Sequence, residues 1–222
     1  MEITDLRQGI KNPNRVNVFV NSRFVFSLDV TQVVDLKLKI GRVLTEEELA
    51  ECKRASEFGK TYQRALEWVL VRPRSVRELS DYLKRRERKQ ELEERKREWQ
   101  EAKEQKTRKK KDKTKYNFDD VIIERLINKG YVDDRKFAEY YVENRFVKKG
   151  ISQKRLKIEL MRKGVTKEII DEVLSGRDDE EEARKIIAKK RGKYDDEKLV
   201  AYLCRQGFTY DLAKRLVEKD ED

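Results

Sequence analysis

Leu156–Val165, LKIELMRKGV, recurs 43 positions further on as Leu199–Phe208, LVAYLCRQGF. Each copy carries two leucines four apart (Leu156 and Leu160; Leu199 and Leu203), a basic residue two after the second, then Gly and an apolar residue. Leucines at i and i+4 share one face of a helix, one turn apart. Gly is where such a helix stops, because only Gly enters the left-handed conformation cheaply. A third relative, ELSDYLKRR, keeps Leu79, Leu83 and Arg85 but runs into charged sequence instead of Gly. A period in the forties with one interrupted unit predicts a helical repeat array.

The array divides into three units, each of three short helices. Unit one is YQRALEWVLVRPR, SVRELSDYLKRR and FDDVIIERLINKGYV, the last two separated by an insertion. Unit two is DDRKFAEYYVENRFVKKG, ISQKRLKIELMRKG and VTKEIIDEVLSG; unit three is DDEEEARKIIAKKRGKY, DDEKLVAYLCRQG and FTYDLAKRLVEK. Ser75, Asp119, Asp133, Ser152, Thr166, Asp178, Asp195 and Thr209 stand where side chains cap free N–H groups. The expected division is 1–58, 59–132 with an insertion at 84–115, 133–177 and 178–222.

Before the array the pattern is β. Ile3–Leu6, Val16–Val20 and Phe24–Leu28 read as strands, with Asn21-Ser22 as a hairpin turn. A lone three-stranded sheet is marginal, so its apolar face is expected to rest on the helices next in the chain. Asp29 or Thr31 opens a short helix through Leu38, ended by Gly41. Thr45 with Glu48 is a capping-box spacing that starts a helix to about Phe58. The fold class is therefore mainly α, with a small β-rich amino-terminal module.

Composition excludes several chemistries. The 222 residues contain no His and two Cys, which removes imidazole bases and ligands and makes a zinc site or disulfide framework untenable. No apolar run reaches the roughly 20 residues of a membrane span, and the opening MEITD is no signal peptide. A monomeric cytoplasmic protein without cofactor is expected. No phosphate-cradling glycine loop is present. Asp133/Asp134, Asp178/Asp179 and Asp195/Asp196 invite a nuclease reading, but each pair precedes an apolar-periodic helix, where carboxylates cap and meet the positive end of the dipole.

The net charge of +11 is unevenly spread: residues 1–58 net 0, 59–83 net +2, 84–115 net +8 and 116–222 net +1. A concentrated cationic block points to a polyanionic partner. The insertion has few apolar residues beyond Leu92 and Trp99, and Glu91–Arg95, Glu93–Arg97 and Glu104–Arg108 have helix-supporting i,i+4 spacing. It is expected to carry unit one's middle helix past Arg86 into solvent, with a flexible Lys-rich end, TRKKKDKTK. Trp99, among charges, is either a contact anchor or propped on a neighbouring helix. Most other aromatic residues fall at core spacing. The candidate contact residues are Arg72, Arg74, Arg77, Lys84 and Arg85, then Arg155, Arg162 and Lys163, with Arg205 and Arg215 in unit three.

Four motifs in order resemble the RecX family, bacterial regulators of the RecA recombinase. They are R-x-x-S-x-x-E-L (Arg72, Ser75, Glu78, Leu79), L-x-x-x-G-Y-V-D-D-x-x-F-A (Leu126 to Ala138), R-L-x-x-E-L-x-x-K-G-V (Arg155 to Val165) and K-L-x-x-Y-L-x-R-x-G-F-T-Y-D (Lys198 to Asp211). The resemblance covers the chain except the insertion, where relatives usually turn at Lys-Gly. It implies a crescent of three repeats that binds the groove of the RecA–DNA filament, touches single- or double-stranded DNA through basic surface, and inhibits the recombinase without catalysis of its own. The competing expectation is a helix-turn-helix-like nucleic-acid binder independent of any filament.

Overall fold

A computed structural model describes residues 1–10, 12–103 and 116–219. Among them lie three strands, β1 (Ile3–Gln8), β2 (Arg15–Val20) and β3 (Arg23–Asp29), and ten helices. The helices are α1 (Val30–Asp35), α2 (Glu46–Leu70), α3 (Val76–Lys103), α4 (Asp119–Asn128), α5 (Asp134–Lys149), α6 (Gln153–Arg162), α7 (Lys167–Val173), α8 (Asp179–Lys190), α9 (Asp196–Arg205) and α10 (Tyr210–Lys219). They form two compact units: Met1–Trp68 with Leu92–Glu124, and Val69–Glu91 with Arg125–Asp222. No described helix is long and apolar enough to cross a membrane.

In the first unit the strands pair antiparallel in the order β1-β2-β3. Asn21 and Ser22 both take positive φ, 49° and 63°, as the two central residues of a type I′ hairpin require. Alternation puts Val18, Val20, Phe26 and Leu28 on one buried face, against Leu44, Leu49 and Cys52. The sheet thus rests on the start of α2, whose capping box is complete: the Glu48 N–H donates to Thr45 Oγ1 at 3.1 Å, and the Thr45 N–H to Glu48 Oε2 at 2.9 Å.

Two helix ends differ from the sequence expectation. α1 stops at Asp35, short of Leu38, because Lys37 takes φ 51°. Gly41 instead turns the chain back beside β1, its N–H donating to the Ile3 carbonyl at 2.8 Å. α2 does not end near Phe58 but runs unbroken through Gly59 to Leu70. Gly59 answers a close approach, since a Cβ there would lie 2.8 Å from the Gln32 side-chain oxygen. That same Gln32 amide donates to the Ala55 carbonyl at 2.7 Å. α2 ends at Leu70, two residues ahead of Arg72, the position for which Pro73 disfavours the helical region.

The second unit holds repeats two and three whole. Phe137, Leu156, Leu160, Val165 and Ile170 form the core of α5–α7. Ile187, Leu199, Leu203, Phe208 and Leu216 form that of α8–α10. The leucines of the founding motif, Leu79, Leu83, Leu156, Leu160, Leu199 and Leu203, are all buried. The insertion is helical as far as Lys103, and the Lys-rich stretch 107–115 lies outside the described residues.

Candidate polyanion interface

The repeats of the second unit are joined by a recurring contact between helix ends. Ser75, which caps α3 by accepting the Glu78 N–H at 3.1 Å, donates its hydroxyl to the Lys163 carbonyl at the end of α6 at 2.8 Å. One repeat on, the Ser152 N–H at the start of α6 donates to the Gln206 carbonyl at the end of α9 at 3.2 Å. The Arg155 guanidinium also donates to the Arg205 carbonyl. Carbonyls left over at one helix C-terminus thus meet the positive N-terminus of the preceding middle helix. The stop glycines serve the same joint: a Cβ on Gly164 would sit 2.7 Å from Arg77 Cβ, and one on Gly207 2.5 Å from Ser152 Oγ.

Two of the aspartate pairs divide their labour across these joints. Asp133 caps its own α5, accepting from the Arg135 and Lys136 N–H groups, while Asp134 accepts the Val76 N–H of α3 at 2.9 Å. Asp178 caps α8 through the Glu180 N–H, and Asp179 accepts the Gln153 N–H of α6 at 2.7 Å. Asp195 caps α9 by accepting the Lys198 N–H. Capping is therefore the role of the first member of each pair, and the second member of the first two pairs links repeats. At α4, by contrast, Asp119 is the first helical residue and its N–H donates to Asn117 at 2.9 Å. Burial raises the Asp134 pKa, with the Asp133 charge adding and the Val76 N–H opposing.

Four predicted contact residues lie in these joints. Glu78, 13% exposed, receives Arg72 at 3.1 Å, Lys163 at 2.8 Å and Arg74 at 3.9 Å. Burial pushes its carboxyl up, but hydrogen bonds from Lys163 and Arg72, with their charges, outweigh that and hold it below the usual range. Arg74 is shifted down by its own burial and the Arg72 charge, against the pull of Glu78. Arg155 bonds Glu159 as well as the Arg205 carbonyl. The second joint has its own buried pair, Arg177–Glu182 at 3.3 Å.

The remaining predicted residues face solvent. Arg77, Lys84, Arg85, Arg162, Arg205 and Arg215 are exposed. Arg215 pairs with Glu180 at 2.8 Å, and Arg85 donates to the Asp81 carbonyl at 3.1 Å. Arg85, Arg162 and Arg205 each come two positions after the second buried leucine of a middle helix, about 200° around the axis, on the face away from the core. Equivalent joints therefore present one outward arginine per repeat.

The side chains that sequence reasoning missed are Glu78, Asp134 and Asp179. The recurrence of Asp-Asp at the repeat boundaries was the available signal, but it does not say which carboxylate reaches a neighbouring repeat. Among the described residues no group of three or more Cys, Asp or Glu is arranged to hold a metal. Trp99 is 65% exposed, and the Lys103 ammonium lies over its ring, 5.1 Å from the centre.

Comparison with known proteins adds two domain matches. Residues 1–45 match the model of the regulatory protein RecX N-terminal domain, and residues 133–174 that of the RecX second three-helix domain. The regulatory protein RecX of Listeria monocytogenes serovar 1/2a is 30% identical over 224 residues, covering 96% of this chain and 74% of that protein. That of Bacillus subtilis is 28% identical over 235 residues, covering 99% and 79%. A crystal structure of regulatory protein RecX matches with a TM-score of 0.66 at 19% identity over 98% of both chains. RecX from Lactobacillus salivarius matches at 0.52 and 20%, over 74% of this chain and 97% of that one.

Proposed function

Because the chain belongs to the RecX family of regulatory proteins, we propose that it regulates homologous recombination by binding the groove of the RecA–DNA filament and inhibiting the recombinase. The observation that carries this reading is the outward row Arg85, Arg162 and Arg205, one per middle helix, set at equivalent positions by repeated joints. A repeating cationic row suits a partner that itself repeats, and a filament supplies acidic protein and phosphate at regular intervals.

In this mechanism the exposed cations, Arg77 and Lys84 with the three row arginines, neutralise the partner. Arg72, Arg74, Arg155 and Lys163 act through the joints, holding the row in register. Arg215 adds little while paired at the surface with Glu180. The body of the protein then blocks the incoming duplex or filament growth, with no reaction of its own. It acts as a cytoplasmic monomer. The paired aspartates serve as caps and links, so among the described residues a nuclease reading has no carboxylate cluster to support it.

The test is equilibrium binding to recombinase-coated single strand and to bare duplex. Replacing Arg85, Arg162 and Arg205 together by Ala should weaken filament binding and flatten its salt dependence, by about 0.7–0.9 in log–log slope for each phosphate no longer neutralised. Unchanged filament binding by the triple variant would sink the row. Equal affinity of the parent for bare duplex and filament would sink the recombinase reading in favour of a general nucleic-acid binder.

A further inference from the structure

The solvent-exposed end of α3 has a charge order that the repeat scaffold does not require. At about 100° per residue, Leu92, Arg95, Lys96, Trp99 and Lys103 fall within an arc of about 100° along one side of the helix. The acidic residues Glu93, Glu94 and Glu98 all lie outside it. A helix kept soluble by charge alone mixes signs around its circumference. Along this arc the charge is of one sign, and the two large apolar side chains, Leu92 at 54% and Trp99 at 65% exposure, both sit on it.

We propose that this stripe is a binding site for single-stranded nucleic acid, in which Trp99 stacks on a base and Arg95, Lys96 and Lys103 hold the flanking phosphates. Charge complementarity selects a polyanion. The exposed indole selects a single strand, because its bases offer free faces, whereas those of a duplex are stacked on one another. The Lys103 ammonium lies over the indole ring, 5.1 Å from its centre, so a cation stands within reach of a nucleotide stacked on Trp99. The stripe spans roughly 16 Å from Leu92 to Lys103 at 1.5 Å per residue, so more than one phosphate can be met. The proposal deepens the polyanion reading above by sharing its nucleic-acid partner, but it needs no recombinase.

The experiment uses the full chain carrying Trp68→Phe, so that Trp99 is the sole tryptophan, titrated with an unlabelled oligothymidylate and with a duplex of equal length. The expected result is quenching of Trp99 emission by the single strand, with a midpoint that shifts strongly with salt. In a parallel anisotropy titration with labelled oligothymidylate, Trp99→Ala should weaken binding about ten-fold or more. Arg95→Ala with Lys96→Ala should reduce the log–log salt slope by about 1.4. Absence of quenching, or a Trp99→Ala chain that binds as the parent does, overturns the stacking site. Duplex binding equal to single-strand binding overturns the choice of partner. Because these side chains are exposed on α3, a far-UV CD spectrum matching the parent is expected for each variant. No recombinase is present, so failure here leaves the filament assay to decide the other reading separately.

Discussion

Replacing Glu78 by Gln tests whether the first joint holds the repeats together. The carboxylate is 13% exposed and carries three cations, Lys163 at 2.8 Å, Arg72 at 3.1 Å and Arg74 at 3.9 Å. Removing one partner of a fully buried pair costs about 3–5 kcal/mol, because the other charge is left uncompensated. Here Arg72 and Lys163 are 30% and 39% exposed, so water screens part of that loss. The expected cost is about 2–3 kcal/mol, or about 4–12 °C in melting temperature for a chain of this size. Urea unfolding monitored by far-UV CD measures it, and a double-mutant cycle with Lys163→Met should return a coupling of about 1 kcal/mol or more. The pH dependence has a definite sign. Glu78 is held below its ordinary value of 4.5, so the folded state binds fewer protons than the unfolded one. Its contribution is therefore complete above about pH 4.5 and is lost as pH falls through the depressed folded value. The gap between parent and Glu78→Gln should be flat near neutrality and close under acid. A loss under about 0.5 kcal/mol with no coupling to Lys163 would refute the joint as an electrostatic hub.

Gly164→Ala and Gly207→Ala place a Cβ at φ +85° and +95° and within 2.7 Å and 2.5 Å of the preceding repeat, whereas Gly130→Ala, at φ +72°, meets nothing within 4 Å. All three incur the left-handed penalty of about 1–2 kcal/mol, and the first two should cost measurably more in urea midpoint. Asp134→Ala should lose about 0.5–2 kcal/mol through the unpaired Val76 N–H, while Asp134→Asn keeps an acceptor and should lose less. Burial raises the Asp134 pKa above its ordinary 3.8, so the folded state binds more protons there. That contribution is full below pH 3.8 and lost as pH rises through the raised value. In urea titrations at the two pH values, Asp134→Asn should consequently compare better with the parent at about pH 7 than at about pH 4.

The repeat was legible from leucine spacing and stop glycines because both are local demands: a helix face needs apolar residues at i and i+4, and a helix end needs a residue that tolerates positive φ. The hairpin at Asn21-Ser22 and the capping box at Thr45 were legible for the same reason. Gly59 reads as a helix boundary because a glycine required for a neighbour's approach is identical in sequence to one required for its own φ. Only the packed structure shows Gln32 lying against it.

The basic residues divide on the same line. Sequence alone determined how many cations there are, their concentration in residues 59–115, and the one-per-repeat recurrence of Arg85, Arg162 and Arg205. It could not separate Arg72, Arg74 and Lys163 from them, since a guanidinium or ammonium reads alike whether it faces water or a carboxylate. Tertiary structure decided that through Glu78, whose partner Lys163 lies 85 positions away along the chain. Long-range contacts of that kind depend on where the repeats stack. Gly164 and Gly207 end their helices against the capped start of a preceding middle helix. In the interrupted copy of the motif no glycine follows Arg85, and α3 continues to Lys103.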